Sequence, residues 1–179
     1  GEYGLFYEDA VFENPALAEF APDVLYIHTS SRNLRAWPDP ADTEAGAAEK
    51  LAQEYGRFEA AWRAAQKYGC PVIQNNFEEP GFRNFGSLDA WDVRGRTRFV
   101  RQLNEKMAAY AAATPGFYIH DFAWLAATQG IDAFCDDAAW YGYKYAVAPP
   151  CIPALANSLA SLIKSLFGRV KKGVVSDLD

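Results

Sequence analysis

The chain has 179 residues, 50% of them hydrophobic, which suits one globular domain with a sizeable core. Its 17 basic and 23 acidic residues leave a net charge of −6, and with no basic stripe this argues against nucleic acid as a partner. The three cysteines, Cys70, Cys135 and Cys151, are too widely spaced for a zinc pattern and predict a reducing, cytoplasmic setting. No apolar run approaches the ~20 residues that span a bilayer.

Asn14-Pro15 predicts a short helix through Phe20, with Asn14 as cap and Pro15 in the first turn. Pro22-Asp23 punctuates it, and Val24-Leu25-Tyr26-Ile27-His28 reads as a buried strand. A polar loop from Thr29 to Pro40 leads into a long helix over 42–68, with Leu51, Tyr55, Phe58 and Trp62 on one face and Gly69 as the stop. Residues 71–75 form the second predicted strand, and a Pro/Gly/Asn-rich loop follows to about Ala90. The helix predicted over 92–114 places Phe99, Leu103, Met107 and Tyr110 on one stripe and ends at Pro115-Gly116.

Phe117-Tyr118-Ile119-His120 is the third strand, followed by a short helix over 122–128. An amphipathic helix over 152–167 presents Leu155, Leu159, Leu162 and Leu166 to the core, and Val174 to Ser176 reads as a fourth strand. Near-continuous apolar strands alternating with helices predict an α/β fold, a mostly parallel sheet covered on both faces. Lys164, Arg169, Lys171 and Lys172 complement a helix carboxyl end rather than forming a membrane patch.

Ligands of open α/β sheets bind at the carboxyl ends of the strands. His28 and His120 close the first and third strands, Asn75 and Asn76 close the second, and Asp121 follows His120. Ser30, Ser31 and Asn33 lie in the first strand-end loop. Together they make a polar pocket with a candidate base, orienter and nucleophile; equally, Asp121 suits the cap of the next helix. Asp136 and Asp137, ahead of Trp140-Tyr141, either line the same pocket or open a helix with favourable charge. Trp37 and Trp91, in the strand-end loops, either pack over those loops or serve as platforms for a sugar ring. At the far end Asp177 and Asp179 sit at i, i+2: on a strand both carboxylates point one way, which suits Mg²⁺ binding and phosphoryl chemistry, and two acidic residues in a solvated tail would show the same spacing. The chain ends inside this motif and reads as one domain of a longer protein.

Several segments, in order, resemble the N-terminal domain of FkbH-like proteins (haloacid-dehalogenase superfamily, subfamily IIIC). They are Pro22 to His28, Val72-Ile73-Gln74-Asn75-Asn76-Phe77-Glu78-Glu79-Pro80, Gln102-Leu103-Asn104, Ile119 to Ala126, Gly130 through Asp136 to Tyr141, and Lys171 to Asp179. The resemblance implies a flavodoxin-like three-layer α/β/α sandwich similar to SGNH hydrolases over residues 1–168. It also implies that 169–179 are the linker and first strand of a Mg²⁺-dependent phosphatase domain, with Asp177 as aspartyl nucleophile and Asp179 as general acid/base. A small phosphorylated acid, an acyl carrier protein and the chain's own phosphatase domain are the implied partners.

The sequence departs from SGNH hydrolases in two places. It contains no G-D-S nucleophile motif, and Trp140 stands where the catalytic His of a D-x-x-H motif belongs. The expected role is therefore a non-catalytic domain that positions substrate or carrier. The alternatives are an esterase or deacetylase using Ser30 or Ser31 with His28 or His120, and a carbohydrate-binding module.

Overall fold

Three short apolar runs bounded by Pro and Gly make the sheet. In a computed structural model, which describes residues 15–168 together with Tyr7, Val11 and Phe12, they are β1 (Leu25–Ile27), β2 (Val72–Asn75) and β3 (Phe117–His120). The strands run parallel in the order β1-β2-β3, with Tyr26 beside Ile73, Ile73 beside Tyr118 and Asn75 beside His120. Every residue of β2 is buried, as expected of a central parallel strand covered on both faces.

Side chains alternate across a strand, so the two faces are set by parity. Leu25, Ile27, Val72, Phe117 and Ile119 point toward α2 (Glu44–Gln66) and α3 (Arg96–Ala113), where Leu51, Phe58, Trp62, Phe99, Leu103 and Met107 complete the main core. Trp62 is its centre, with ring centroids 4.9 Å from Tyr110 and 5.0 Å from Phe117. The opposite face carries Tyr26, Asn75 and His120 and is covered by α7 (Ile152–Leu166). A smaller core of Phe122, Leu125, Ala126, Phe134, Val147, Ala148 and Cys151 packs between α7 and the helices α4 (Phe122–Gln129) and α5 (Ile131–Phe134). The molecule is a mixed α/β sandwich, as the alternation of strands and helices predicts.

Helix starts depart from expectation where side chains take over the backbone. The first helix is α1 (Pro15–Phe20), and its expected cap, Asn14, lies outside the described residues. Helix α2 begins two residues later than predicted because Thr43, not Asp42, is its cap: Gly46 N–H donates to Thr43 Oγ1 at 3.1 Å. Helix α3 begins at Arg96 rather than near 92, since Asp92 accepts from Arg94 N–H and from the Arg94 guanidinium in a tight turn. Asp136 caps α6 (Asp137–Tyr143), accepting from Ala138 and Ala139 N–H at 2.8 and 3.0 Å, which is the helix-start arrangement. The leucine stripe of α7 is half-buried rather than fully buried. The fourth predicted strand, with Asp177 and Asp179, lies outside the described residues.

Candidate functional site

The carboxyl ends of the strands bring together the residues expected there, and hydrogen bonds divide them into two groups. The first group holds the edge in shape. Asn75, buried at the end of β2, takes Thr29 N–H on Oδ1 at 2.8 Å and donates Nδ2 to Thr29 O at 2.5 Å. Gln74 links this pair to the core, accepting from Trp62 Nε1 at 3.1 Å and donating to Thr29 Oγ1 at 2.9 Å. Asn76 donates to Asp121 Oδ1 at 2.9 Å and accepts from Ala123 N–H, while Asp121 caps α4 through Trp124 N–H. Ser30 and Asn33 form a reciprocal capping box on the 3₁₀ turn Ser31–Asn33. These side chains have their hydrogen-bonding capacity engaged by the fold.

The second group is chemically more open. Tyr26 Oη lies 3.2 Å from His28 Nδ1 and 3.1 Å from His120 Nδ1. On the far side of its ring, His120 Nε2 lies 3.0 Å from Ser158 Oγ on α7. A phenol has one proton to donate, so if both Tyr26 contacts are hydrogen bonds, one imidazole accepts and the other donates from a protonated Nδ1. The tautomer of His120 then fixes the Ser158 contact: Nε2 accepts when Nδ1 donates, and donates when Nδ1 accepts. Burial holds the His120 imidazole below its ordinary pKa, against the opposing pull of Asp121. His28 is solvent-exposed but packs beside the Tyr26 and Phe122 rings, and it is lowered by desolvation and then by His120, while Asn75 opposes. Desolvation raises the Tyr26 phenol, so the chain consists of neutral groups at neutral pH.

A few residues away Ser31 donates from Oγ to Glu78 Oε1 at 2.6 Å, and the Ser31 N–H reaches the same oxygen at 3.0 Å. Glu78 is buried, its Oε2 has no hydrogen-bond partner among the described residues, and its pKa is raised by desolvation, opposed chiefly by the Ser31 hydroxyl. Arg32 reaches outward to Asp137 at 2.5 Å and lies over the Trp140 ring at 4.7 Å, joining the first strand-end loop to α6. Burial and then Glu78 push the neighbouring Cys135 thiol up to about 11, which keeps it protonated and poorly nucleophilic.

The expected residues are thus brought to one edge, but neither Ser30 nor Ser31 forms a hydrogen bond to a histidine. Tyr26, Glu78, Arg32 and Ser158 complete the arrangement and had no signal in the sequence: a Tyr within a strand reads as core, a Glu in a loop as solvated, a Ser in a helix as filler. Among the described residues no group of three His, Cys, Asp or Glu is placed to hold a metal ion. Asp177 and Asp179, the expected metal ligands, lie outside them.

No protein-family model matches the chain, and no curated protein matches it. The fold does have a solved counterpart. It is similar to the crystal structure of the N-terminal part of the protein BF1531 from Bacteroides fragilis, which contains a phosphatase domain complexed with Mg. The TM-score is 0.84 at 20% sequence identity, over 100% of this chain and 46% of that one. At that identity the likeness shows a shared fold, and this chain spans less than half the length of its counterpart. Among the described residues no helix is long and apolar enough to cross a membrane.

Proposed function

We propose that residues 1–168 form the SGNH-like, non-catalytic domain of an FkbH-like protein, positioning a small phosphorylated acid or an acyl carrier protein for a Mg²⁺-dependent phosphatase domain that opens at Asp177-Leu178-Asp179. The carrying observation is the destination of the Ser31 hydroxyl. It donates to buried Glu78 rather than to His28 or His120, so neither serine of the strand-end loop is paired with an imidazole, and the serine that faces His120 Nε2 is Ser158 on α7. The phosphatase domain in the BF1531 structure supports the second half of the reading. In it, Asp177 and Asp179 are the residues that would hold Mg²⁺, an ion that stabilises negative charge on a transferring phosphoryl group.

Two assays test this. In the longer protein, removing residues 1–168 should leave Mg²⁺-dependent hydrolysis of p-nitrophenyl phosphate intact and lower kcat/KM for a phosphorylated three-carbon acid. Equal turnover of both substrates with and without 1–168 would remove the positioning role. A serine-directed fluorophosphonate should leave Ser30 and Ser31 unlabelled; labelling lost on Ser31→Ala would establish an esterase instead.

A further inference from the structure

Away from the histidines, a broad cleft of about 500 Å³, open to solvent, lies between the start of α2 and the stretch ahead of α3. It lies within the range of roughly 300–1,000 Å³ typical of small-molecule sites. Asp42, Thr43 and Glu44 form one wall, and the other is built from residues 91–94. Of the two loop tryptophans, only Trp91 is available here. Trp37 packs 5.6 Å from Phe99 with Arg96 over its ring, whereas Trp91 is 64% exposed on the cavity wall.

The walls are fixed before any ligand arrives. Buried Asp89, two residues before Trp91, accepts from Thr97 N–H at 2.8 Å and Phe85 N–H at 3.2 Å. Gly95 passes so close behind it that a Cβ would fall 2.4 Å from the Asp89 carbonyl oxygen. Arg94 grips Asp92 with two nitrogens and reaches across to Pro40 O at 3.2 Å, tying one wall to the other. Asp42 Oδ2 accepts from Asp39 N–H and from Lys50 at 2.7 Å. Rigid walls spare a ligand the ordering cost of binding.

We propose that this cavity binds an uncharged pyranose, with Trp91 against the ring's C–H face and the flanking carboxylates accepting from its hydroxyls. An indole face is broad, apolar and rigid, which suits a sugar's C–H side. Ring hydroxyls need acceptors, and Asp42, Glu44 and Asp92 supply them. The Arg94 fork holds Asp92 ionised, near 2, and the Asp39 N–H followed by Lys50 lowers Asp42. Thr43 Oγ1 already accepts from Gly46 N–H, so its own proton is left to donate. Three carboxylates against Arg94 and Lys50 leave a net negative charge, which disfavours an anionic ligand. This site is separate from the histidine edge and does not depend on the role proposed there.

The test is titration of the whole chain with the methyl glycosides of glucose, galactose, mannose and N-acetylglucosamine, read by tryptophan fluorescence and by saturation transfer to ligand protons. At least one glycoside should saturate in the millimolar range. Trp91→Ala should weaken it by about tenfold or more, near 1.4 kcal/mol. Trp91→Phe should retain part of the binding, Asp42→Asn should weaken it severalfold, and Trp124→Ala, at an exposed side chain on α4, should change nothing. No saturation by any glycoside would overturn the proposal, as would full binding by Trp91→Ala or equal binding of methyl glucuronate. If Trp91→Ala fails to fold, Trp91→Phe and Asp42→Asn decide the matter by the same titration.

Discussion

The two faces of the sheet do different work. The face toward α2 and α3 is an aromatic core in which Trp62, Phe58, Phe77 and Phe99 are almost wholly buried, and its polar insertion, Gln74, is fully bonded. The face toward α7 lays Tyr26, His28, His120 and Ser158 in a line of single-proton contacts. Apolar packing is non-directional and tolerates no empty space. A polar chain is directional and its stability changes with protonation. The first face should therefore answer to volume and the second to pH.

Substitutions on each face test that division. Trp62→Ala should have the largest effect, a loss of about 3–5 kcal/mol in urea unfolding, because it removes the ring between Tyr110 and Phe117 and strands the Gln74 carbonyl. That loss should be the same at pH 6 and pH 8; a strong pH dependence would blur the contrast. His120→Leu should cost less, about 1–3 kcal/mol at pH 8, by leaving Tyr26 and Ser158 without their shared partner. Here pH matters. The folded protein keeps His120 neutral below its ordinary pKa, so the unfolded chain takes up the proton first. Its contribution is complete above about pH 6.5 and is lost as pH falls toward the lowered folded value. His120→Leu should flatten that acid-side decline, and an unchanged slope would remove His120 from the account.

Glu78 runs the other way. Its carboxyl is raised, so the folded state holds a proton that the unfolded chain has released, and stability declines as pH rises from the ordinary carboxylate range through the folded value. Glu78→Gln keeps an acceptor for Ser31 and should remove that decline, making the variant relatively more stable at pH 8 than at pH 4.5 in thermal melts. Identical profiles would mean that folding leaves the Glu78 carboxyl titrating as it does in the unfolded chain. Smallest of all, Arg32→Ala should cost about 0.5 kcal/mol, since its partner Asp137 is 81% exposed. A loss of several kcal/mol in the same melts would show that Arg32 holds α6 in place.

Much of this architecture was legible in the sequence. The three strands fall within a residue or so of expectation because Pro22-Asp23, Pro71 and Pro115-Gly116 punctuate runs whose apolar character demands burial on both sides. The helical stripes around Trp62 and Leu103 follow from a 3.6-residue period and are buried as read, save Tyr55 and Tyr110, which are half-buried. The caps at Asp121 and Asp136 were legible for a local reason: a carboxylate has backbone N–H groups within reach two or three residues on. What remained hidden depends on distant partners. Tyr26 meets His120 across 94 positions and Ser31 meets Glu78 across 47, and nothing local marks either pairing. Trp37 and Trp91 looked alike for the same reason, their difference being only what packs on them.

Asn75 carries one more consequence, a matter of chemical ageing. Its side-chain amide meets Thr29 as another strand's backbone would, with acceptor to N–H and donor to carbonyl, adding a rung beyond the last paired residue of β1. Hydrolytic deamidation would exchange that single NH₂ for an oxygen and set a carboxylate directly against the Thr29 carbonyl. A change of about one mass unit would then turn the outermost rung from attraction to repulsion, beside the strand ends that seat both histidines. The working lifetime of this edge is thus tied to one amide bond, and burial, by denying water and the backbone freedom that deamidation needs, is what protects it.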